Sequence, residues 1–257
     1  MASKADYIAV IDSGVGGISV LRELVRLMPQ ERFLYFGDSA NAPYGTKTPE
    51  EVRAMTDRTV ARLMARGIKA LVVACNTATA VAIAHLRETY PDFIIIGIEP
   101  ALKPAVSRFP KGAVGIMATP VTLRGDKLKN LIAANPHPNL HLIPAPGLVE
   151  LVEAGLANSP QMDAFLTPVL APFVGKLDGL VLGCTHYPFA MASIRKILGD
   201  NTVLFDGGEG TARETRRRLE NADLLWDGPG CVVFENSLND PHIFKLCESL
   251  LTEENHG

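Results

Sequence analysis

Two cysteines sit where acid–base chemistry could use them. Cys75 ends the apolar run Leu71-Val72-Val73-Ala74 and is followed by Asn76, Thr77 and an alanine-rich segment. Cys184 ends Leu180-Val181-Leu182-Gly183 and is followed by Thr185, His186, Tyr187 and Pro188. In both places a buried-type strand stops at a thiol and small polar residues follow. A helix N-terminus lowers a thiol pKa from its free value of about 8.5, so both thiols are expected to ionise readily. A thiolate on one face of a carbon and a thiol on the other form a base and an acid. One removes a proton, the other returns one from the opposite side, and the centre inverts; exchanging roles gives the reverse reaction. The alternatives for the pair are two structural cysteines or a disulfide between them.

Candidate assistants accompany each thiol. His186 could poise the proton of Cys184, or serve as a hydrogen-bonded structural residue. Glu153 could orient His186 from another element, with Glu150 as the rival carboxylate. Asp12 would play the corresponding part beside Cys75. Ser13, Asn76, Thr77 and Thr185 offer neutral hydrogen bonds to carboxylates. The turn Asp12-Ser13-Gly14-Val15-Gly16-Gly17 joins an apolar strand to a helical pattern. Such a turn gathers backbone N–H groups at one point and suits an anion. It lacks both the Walker GK[ST] and the GxGxxG spacing, so a small carboxylate is expected there before a nucleotide phosphate. Asp12 could equally meet an ammonium group or cap the helix.

The elements that must carry these residues alternate. Strands are expected at Tyr7–Ile11, Arg32–Phe36, Ala70–Ala74 and Phe93–Ile98, then at Gly112–Met117, His141–Ile143, the run to Cys184, and Thr202–Phe205. Helices are expected between them. One runs from the capping box Thr48-Pro49-Glu50-Glu51 to about Arg66, where Gly67 stops it. Others are expected from Ala78, from about Arg124, around Gln161–Phe173, from Pro188 to about Leu198, and from Thr211. Alternation of this kind argues for parallel sheets with helices on both faces, and ligands beyond the carboxyl ends of the strands. Asp12, Asp38, Cys75 and Glu99 all fall at that edge, as does the long polar turn Gly37–Gly45. Asp12 precedes Cys75 by 63 positions and Thr119 precedes Cys184 by 65. The near-equal offsets suggest an α/β protein of two similar parallel-sheet α/β domains, facing each other across a cleft with pseudo-twofold symmetry. The first is expected at 1–98, completed by 207–257, and the second at 99–206.

Composition narrows the function classes. The 257 residues carry a net charge of −3 and are 47% apolar and 21% charged. That is a globular chain with no general attraction for nucleic acid or membranes. Arg216-Arg217-Arg218 reads as a solvated helix face. No apolar stretch approaches the roughly 20 residues of a membrane span, and no signal peptide is read, so a cytoplasmic setting with reduced thiols is expected. The four cysteines form no CxxC, which argues against structural zinc. Cys231 and Cys247 read as small hydrophobes.

Four blocks, Asp12–Gly17, Phe36-Gly-Asp-Ser-Ala-Asn-Ala-Pro-Tyr-Gly45, Ala74-Cys-Asn-Thr-Ala-Thr79 and Leu182-Gly-Cys-Thr-His-Tyr-Pro188, resemble in order the signatures of the glutamate racemase family. That family lies within the cofactor-independent aspartate/glutamate racemases. The resemblance implies interconversion of L- and D-glutamate for peptidoglycan, with neither pyridoxal phosphate nor metal, in what is commonly a homodimer. It implies that Cys75 acts on the D-enantiomer and Cys184 on the L-enantiomer, with Asp12, Glu153 and His186 assisting. It implies substrate contacts from Asp12, Ser13, Tyr44, Gly45, Asn76, Thr77, Thr119, Thr122, Thr185 and His186. Ala118-Thr119 departs from the family's usual Gly-Thr, and Ala145-Pro146 from its frequent Cys-Pro. Glu153 is chosen by reading Leu151-Val152-Glu153 as the family's LVE. Rival readings are an aspartate racemase, one methylene away, a non-catalytic protein binding a small ligand, and a nucleotide-binding module built on Asp12–Gly17.

Overall fold

Alternation of strand and helix resolves into two all-parallel sheets. The computed structural model describes residues 2–252. The first part runs β1 (Tyr7–Asp12), α1 (Ile18–Leu27), β2 (Arg32–Gly37), α2 (Pro49–Ala65), β3 (Ile68–Val73), α3 (Asn76–Thr89) and β4 (Ile94–Gly97). Then come α4 (Leu102–Arg108), β5 (Val114–Ala118), α5 (Pro120–Arg124), α6 (Asp126–Ala134), β6 (Leu140–Pro144), α7 (Leu148–Glu153) and α8 (Pro160–Leu170). The rest is β7 (Gly179–Leu182), α9 (Met191–Leu198), β8 (Val203–Asp206), α10 (Gly208–Asn221), β9 (Cys231–Asn236) and α11 (Pro241–Thr252). Among the described residues no helix is long and apolar enough to cross a membrane.

The sheets share a plan. One has the order β4-β3-β1-β2-β9 and the other β6-β5-β7-β8. Setting β9 aside, both follow the same sequential order, second-first-third-fourth. Each therefore has one point where the winding reverses, between β1 and β3 and between β5 and β7. Cys75 and Cys184 follow β3 and β7, the corresponding strands of the two sheets. Central strands covered on both faces read as unbroken apolar runs. Accordingly Ile8, Ala9, Val10, Ala70, Leu71, Val72 and Val73 are all fully buried.

Local chemistry sets most helix starts. The expected capping box forms: Glu51 N–H donates to Thr48 Oγ1, and Thr48 N–H to Glu51 Oε2. Gly67 follows with φ +75°, which glycine adopts without strain. Four starts differ from expectation, the simplest being α10, which begins at Gly208 rather than Thr211. α3 begins at Asn76 rather than Ala78, with Cys75 as its N-cap. The helix expected from about Arg124 is two: Thr119 caps the short α5, with Pro120 at its first position, and α6 follows Gly125. After Cys184 the chain makes a 3-10 turn, Tyr187–Ala190, before α9. The two thiols therefore do not stand at equivalent helix starts.

The chain beyond β8 packs against early elements. α10 and α11 lie against α1, and β9 extends the first sheet beside β2, from Arg32 opposite Cys231 to Gly37 opposite Asn236. A buried ion pair fastens this return. Lys69 Nζ, on β3, donates to Glu31 Oε2 (2.7 Å) and to the carbonyls of Lys4 (2.7 Å) and Leu224 (3.0 Å). Glu31 Oε1 accepts from the Trp226 amide at 2.9 Å. The apolar segment expected from Ala70 thus extends back over a lysine, because every proton of its ammonium group has a partner. Lys69→Ala leaves the Glu31 carboxylate buried without its counter-charge. It should cost about 3–5 kcal/mol of stability, read from the urea midpoint at constant m-value.

Candidate active site

The site lies where the carboxyl ends of both sheets meet, at their winding reversals, the place where open α/β sheets bind ligands. Cys75, Asp12, Ser13, Asn76, Thr77, Tyr44 and Gly45 come from one side. Thr119, Thr122, Glu153, Cys184, Thr185 and His186 come from the other. All are buried except Glu153, which is half-buried. Side chains tie the sides together. Thr185 Oγ1 donates to Asp12 Oδ2 (3.0 Å), and Thr77 Oγ1 lies 3.4 Å from the hydroxyls of both Thr119 and Thr122. A side chain at Gly45 would strike Thr119, so the absence of a Cβ lets that turn close on α5.

The glycine-rich turn does receive a carboxylate, and it belongs to the protein. Val15 N–H donates to Glu153 Oε1 at 2.7 Å. A Cβ on Gly14 would lie 1.8 Å from Glu153 Oε1, and one on Gly16 would lie 2.2 Å from His186 Nδ1. The turn is glycine-rich because Glu153 and His186 press against its backbone. Asp12 does not cap α1, which starts without a side-chain cap. Its Oδ1 accepts instead from the Gly14 amide at 3.1 Å.

His186 links the carboxylate to the second thiol. Its Nε2 is 2.6 Å from Glu153 Oε1 and its Nδ1 is 3.8 Å from Cys184 Sγ. Burial works against a charged imidazole, but the bonds to Cys184 and Glu153 outweigh it and hold its pKa well above the usual 6.5. Burial would raise Glu153, yet the His186 hydrogen bond and charge and the Val15 amide bring it below its usual range. The pair is therefore an imidazolium against a carboxylate. Glu150, the rival, is exposed.

Cys75 has a different environment. Its Sγ accepts from the Ala78 amide at 3.4 Å and donates to Ser13 Oγ at 3.8 Å. The helix start was expected to make this thiol acidic. Burial and the Asp12 carboxylate overcome the Ala78 N–H and push it up from 9.0 to about 12. The nearby Cys184 contributes in the same direction, so the two thiols share one electrostatic environment. Burial likewise raises Asp12 to about 6, against the lowering effects of His186, Gly14 and Thr185. Asn76 Oδ1 is buried without a hydrogen-bond partner, an acceptor turned into a polar site.

Tyr44 holds the long turn as well as lining the site: its hydroxyl donates to Asp38 Oδ2 at 2.7 Å, and Asp38 also accepts from Asn41. Tyr44, Asp38, Asp12 and Cys75 enclose a space of about 10 Å³, about one water. A much larger cavity, about 930 Å³, lies between α4 and α10 and touches neither thiol. Neither space is lined by both thiols: Cys75 borders the small one, and Lys103, Asp206, Glu209 and Arg213 are among the residues lining the large one. Among the described residues no three His, Cys, Asp or Glu side chains converge as a metal site would need. Sequence reasoning missed Ser39, which donates to Glu153, and Asn236, which donates to Ser39. Ser39 lies inside the conspicuous Gly37–Gly45 turn, but Asn236 carries no motif.

Two thiols stand at corresponding ends of facing parallel sheets, each near a carboxylate, the arrangement that proton transfer from two sides of a carbon would need. The model for Asp/Glu/Hydantoin racemases matches residues 8–215. The chain is 47% identical over 249 residues to the glutamate racemase of Clostridium novyi, covering 95% of this chain and 96% of that one. A glutamate racemase isoform from Bacillus anthracis superposes with a TM-score of 0.85 at 32% identity, covering 96% and 93% of the two chains. One from Francisella tularensis, solved with D-glutamate, superposes at 0.84 and 28% identity, covering 98% and 96%. The chain belongs to the Asp/Glu/hydantoin racemase family, on its glutamate racemase branch.

The raised pKa of Asp12 has a stability consequence of definite sign. The unfolded carboxyl ionises at 3.8 and the folded one at about 6. Between those values the folded state holds more protons, so stability falls as pH rises through the window and stays lowered above it. Asp12→Asn should therefore be more stable than the parent at neutral pH, on the order of 1–3 kcal/mol, with the gap closing as pH falls toward 3.8. Denaturant unfolding at a series of pH values reads the difference.

Proposed function

We propose that the protein interconverts L- and D-glutamate by moving a proton between the two faces of the α-carbon, supplying D-glutamate for peptidoglycan. The observation that carries this reading is the placement of Cys75 and Cys184 after corresponding strands of facing sheets, close enough for one to perturb the other. In the L-to-D direction the Cys184 thiolate takes the α-proton. The Cys75 thiol gives its proton to the opposite face and is left as a thiolate. The reverse direction exchanges the roles.

The two sides are set differently for these tasks. With Cys75 pushed up to about 12, its thiol begins protonated and can act as the acid toward a carbanion. His186, charged and braced by Glu153, can donate from Nδ1 to Cys184 Sγ. Asp12 stands beside Cys75 to assist when that thiol must act as base. A substrate α-ammonium would soften the repulsion between Asp12 and a Cys75 thiolate. The unpaired Asn76 Oδ1 can accept from the same ammonium. Hydroxyls and amides of Ser13, Thr77, Thr119, Thr122, Thr185 and the Tyr44-Gly45 turn suit the two carboxylates. The Thr77–Thr119/Thr122 and Asp12–Thr185 contacts bridge the two sides, so an amino acid that binds between the thiols parts them. The proposal includes a cytoplasmic setting, where both thiols stay reduced, and a homodimer, which light scattering checks.

The deciding measurement is α-proton exchange and optical rotation of glutamate and aspartate in heavy water. Exchange with racemisation of glutamate is expected, with aspartate slower. Preference for aspartate would overturn the substrate. Cys75→Ser and Cys184→Ser should each lower racemisation by about 10²–10⁴-fold, because a hydroxyl is a far weaker acid than a thiol. Full activity in Cys184→Ser would overturn the two-thiol mechanism.

A further inference from the structure

Glu153 is held differently at its two oxygens. Oε1 takes the Val15 amide and His186 Nε2. Oε2 accepts from Ser39 Oγ, at 3.4 Å. What aims that hydroxyl comes from the far end of the chain. Asn236 Nδ2 donates to Ser39 Oγ at 2.8 Å, which occupies an oxygen lone pair and leaves the hydroxyl proton free to turn toward Glu153. The amide of Asn236 is itself oriented, since its Oδ1 accepts from the Leu238 amide at 3.0 Å and so keeps Nδ2 toward Ser39.

The backbone fixes both residues. Parallel pairing of β9 with β2 sets Asn236 opposite Gly37, and the Ser237 amide donates to the Gly37 carbonyl at 3.0 Å. Ala40 N–H donates to Ser237 Oγ at 2.9 Å, fastening the turn that carries Ser39. Gly37 has no Cβ, and one placed there would lie 2.5 Å from the Gly14 carbonyl and 2.9 Å from Asn236 Nδ2. The end of β9 is thus brought to Gly37 and Ser39, and through Ser39 to the Glu153 carboxylate.

We propose that Ser39 and Asn236 are positioning residues for the second acid–base group, a hydrogen-bonded chain from Asn236 through Ser39 and Glu153 that holds the His186 imidazole against Cys184. The inference rests on the roles given above to Cys184 and His186. It makes the C-terminal strand part of the catalytic apparatus, although none of its residues reaches the reacting carbon. Bonds in such a chain polarise one another, so losing the first loosens the last.

Steady-state kinetics and proton NMR of the full-length protein test this together. Ser39→Ala should lower kcat about three- to tenfold with KM within about twofold, and Ser39→Thr, which keeps the hydroxyl, should restore it. Asn236→Asp keeps the acceptor for Leu238 but removes the donor to Ser39, and should lower kcat similarly. In a Ser39→Ala background it should add little, because the chain is already cut. The downfield imidazole proton of the His186–Glu153 bond should move or broaden in Ser39→Ala and Asn236→Asp and return in Ser39→Thr. Unchanged kcat with an unmoved resonance would overturn the proposal. So would additive losses that track a fall in melting temperature, since that is a structural role. A wild-type protein inactive on glutamate would instead overturn the substrate assignment, while the imidazole resonance still decides this one.

Discussion

Everything about this site depends on an imidazolium–carboxylate pair from one side lying directly on the backbone of the other. Glu153 and His186 reach across to the Gly14–Gly16 turn so closely that neither glycine could carry a Cβ without displacing them. A charged pair with its imidazole fully buried is tolerable only when its remaining bonds are made. Here the Val15 amide, Ser39 and Cys184 complete the set. The same contacts join the two sides and orient the second thiol. Alignment of the sheets and the protonation state of His186 are consequently one problem, solved by one pair.

The two sheets are alike in winding and unlike in chemistry. Each presents a thiol after its third strand, yet Cys75 caps a full α-helix while Cys184 precedes a 3-10 turn. The position after β1 holds Asp12-Ser13, and that after β5 holds Thr119. A racemase needs one acid and one base at a time, not two identical groups. Burial and a neighbouring carboxylate keep one sulfur protonated, and a charged imidazole attends the other. The repeated topology supplies opposed positions, and the neighbours make the two thiol environments different.

The additional strand β9 breaks the symmetry in a useful place. It prolongs only the first sheet, at the edge beside β2, and the Lys69–Glu31 pair with its bonds to Leu224 and Trp226 anchors the segment leading into it. Its last residue meets the turn that follows β2. The strand therefore covers a sheet edge and also ends against Ser39, which donates to the Glu153 carboxylate.

Much was legible in the sequence because the deciding physics there is local. Continuous apolar runs mark strands covered on both faces, the Thr48–Glu51 box and Gly67 bound a helix, and a thiol following a buried run identifies a strand end. Spacing alone suggested the repeat, and the sheets have the same strand order. The protonation states were not local. A helix start lowers a thiol pKa, but burial and Asp12 reverse the outcome for Cys75, and only the packed structure brings them together. The glycine turn reads in the sequence as a site for a small anionic ligand, whereas the carboxylate its Val15 amide meets is the protein's own Glu153, 138 positions away, which arrives only when the sheets face each other. Asn236 shows the limit most plainly: nothing in its neighbourhood in the chain marks it, and parallel pairing of β9 with β2 alone gives it Ser39 to hold.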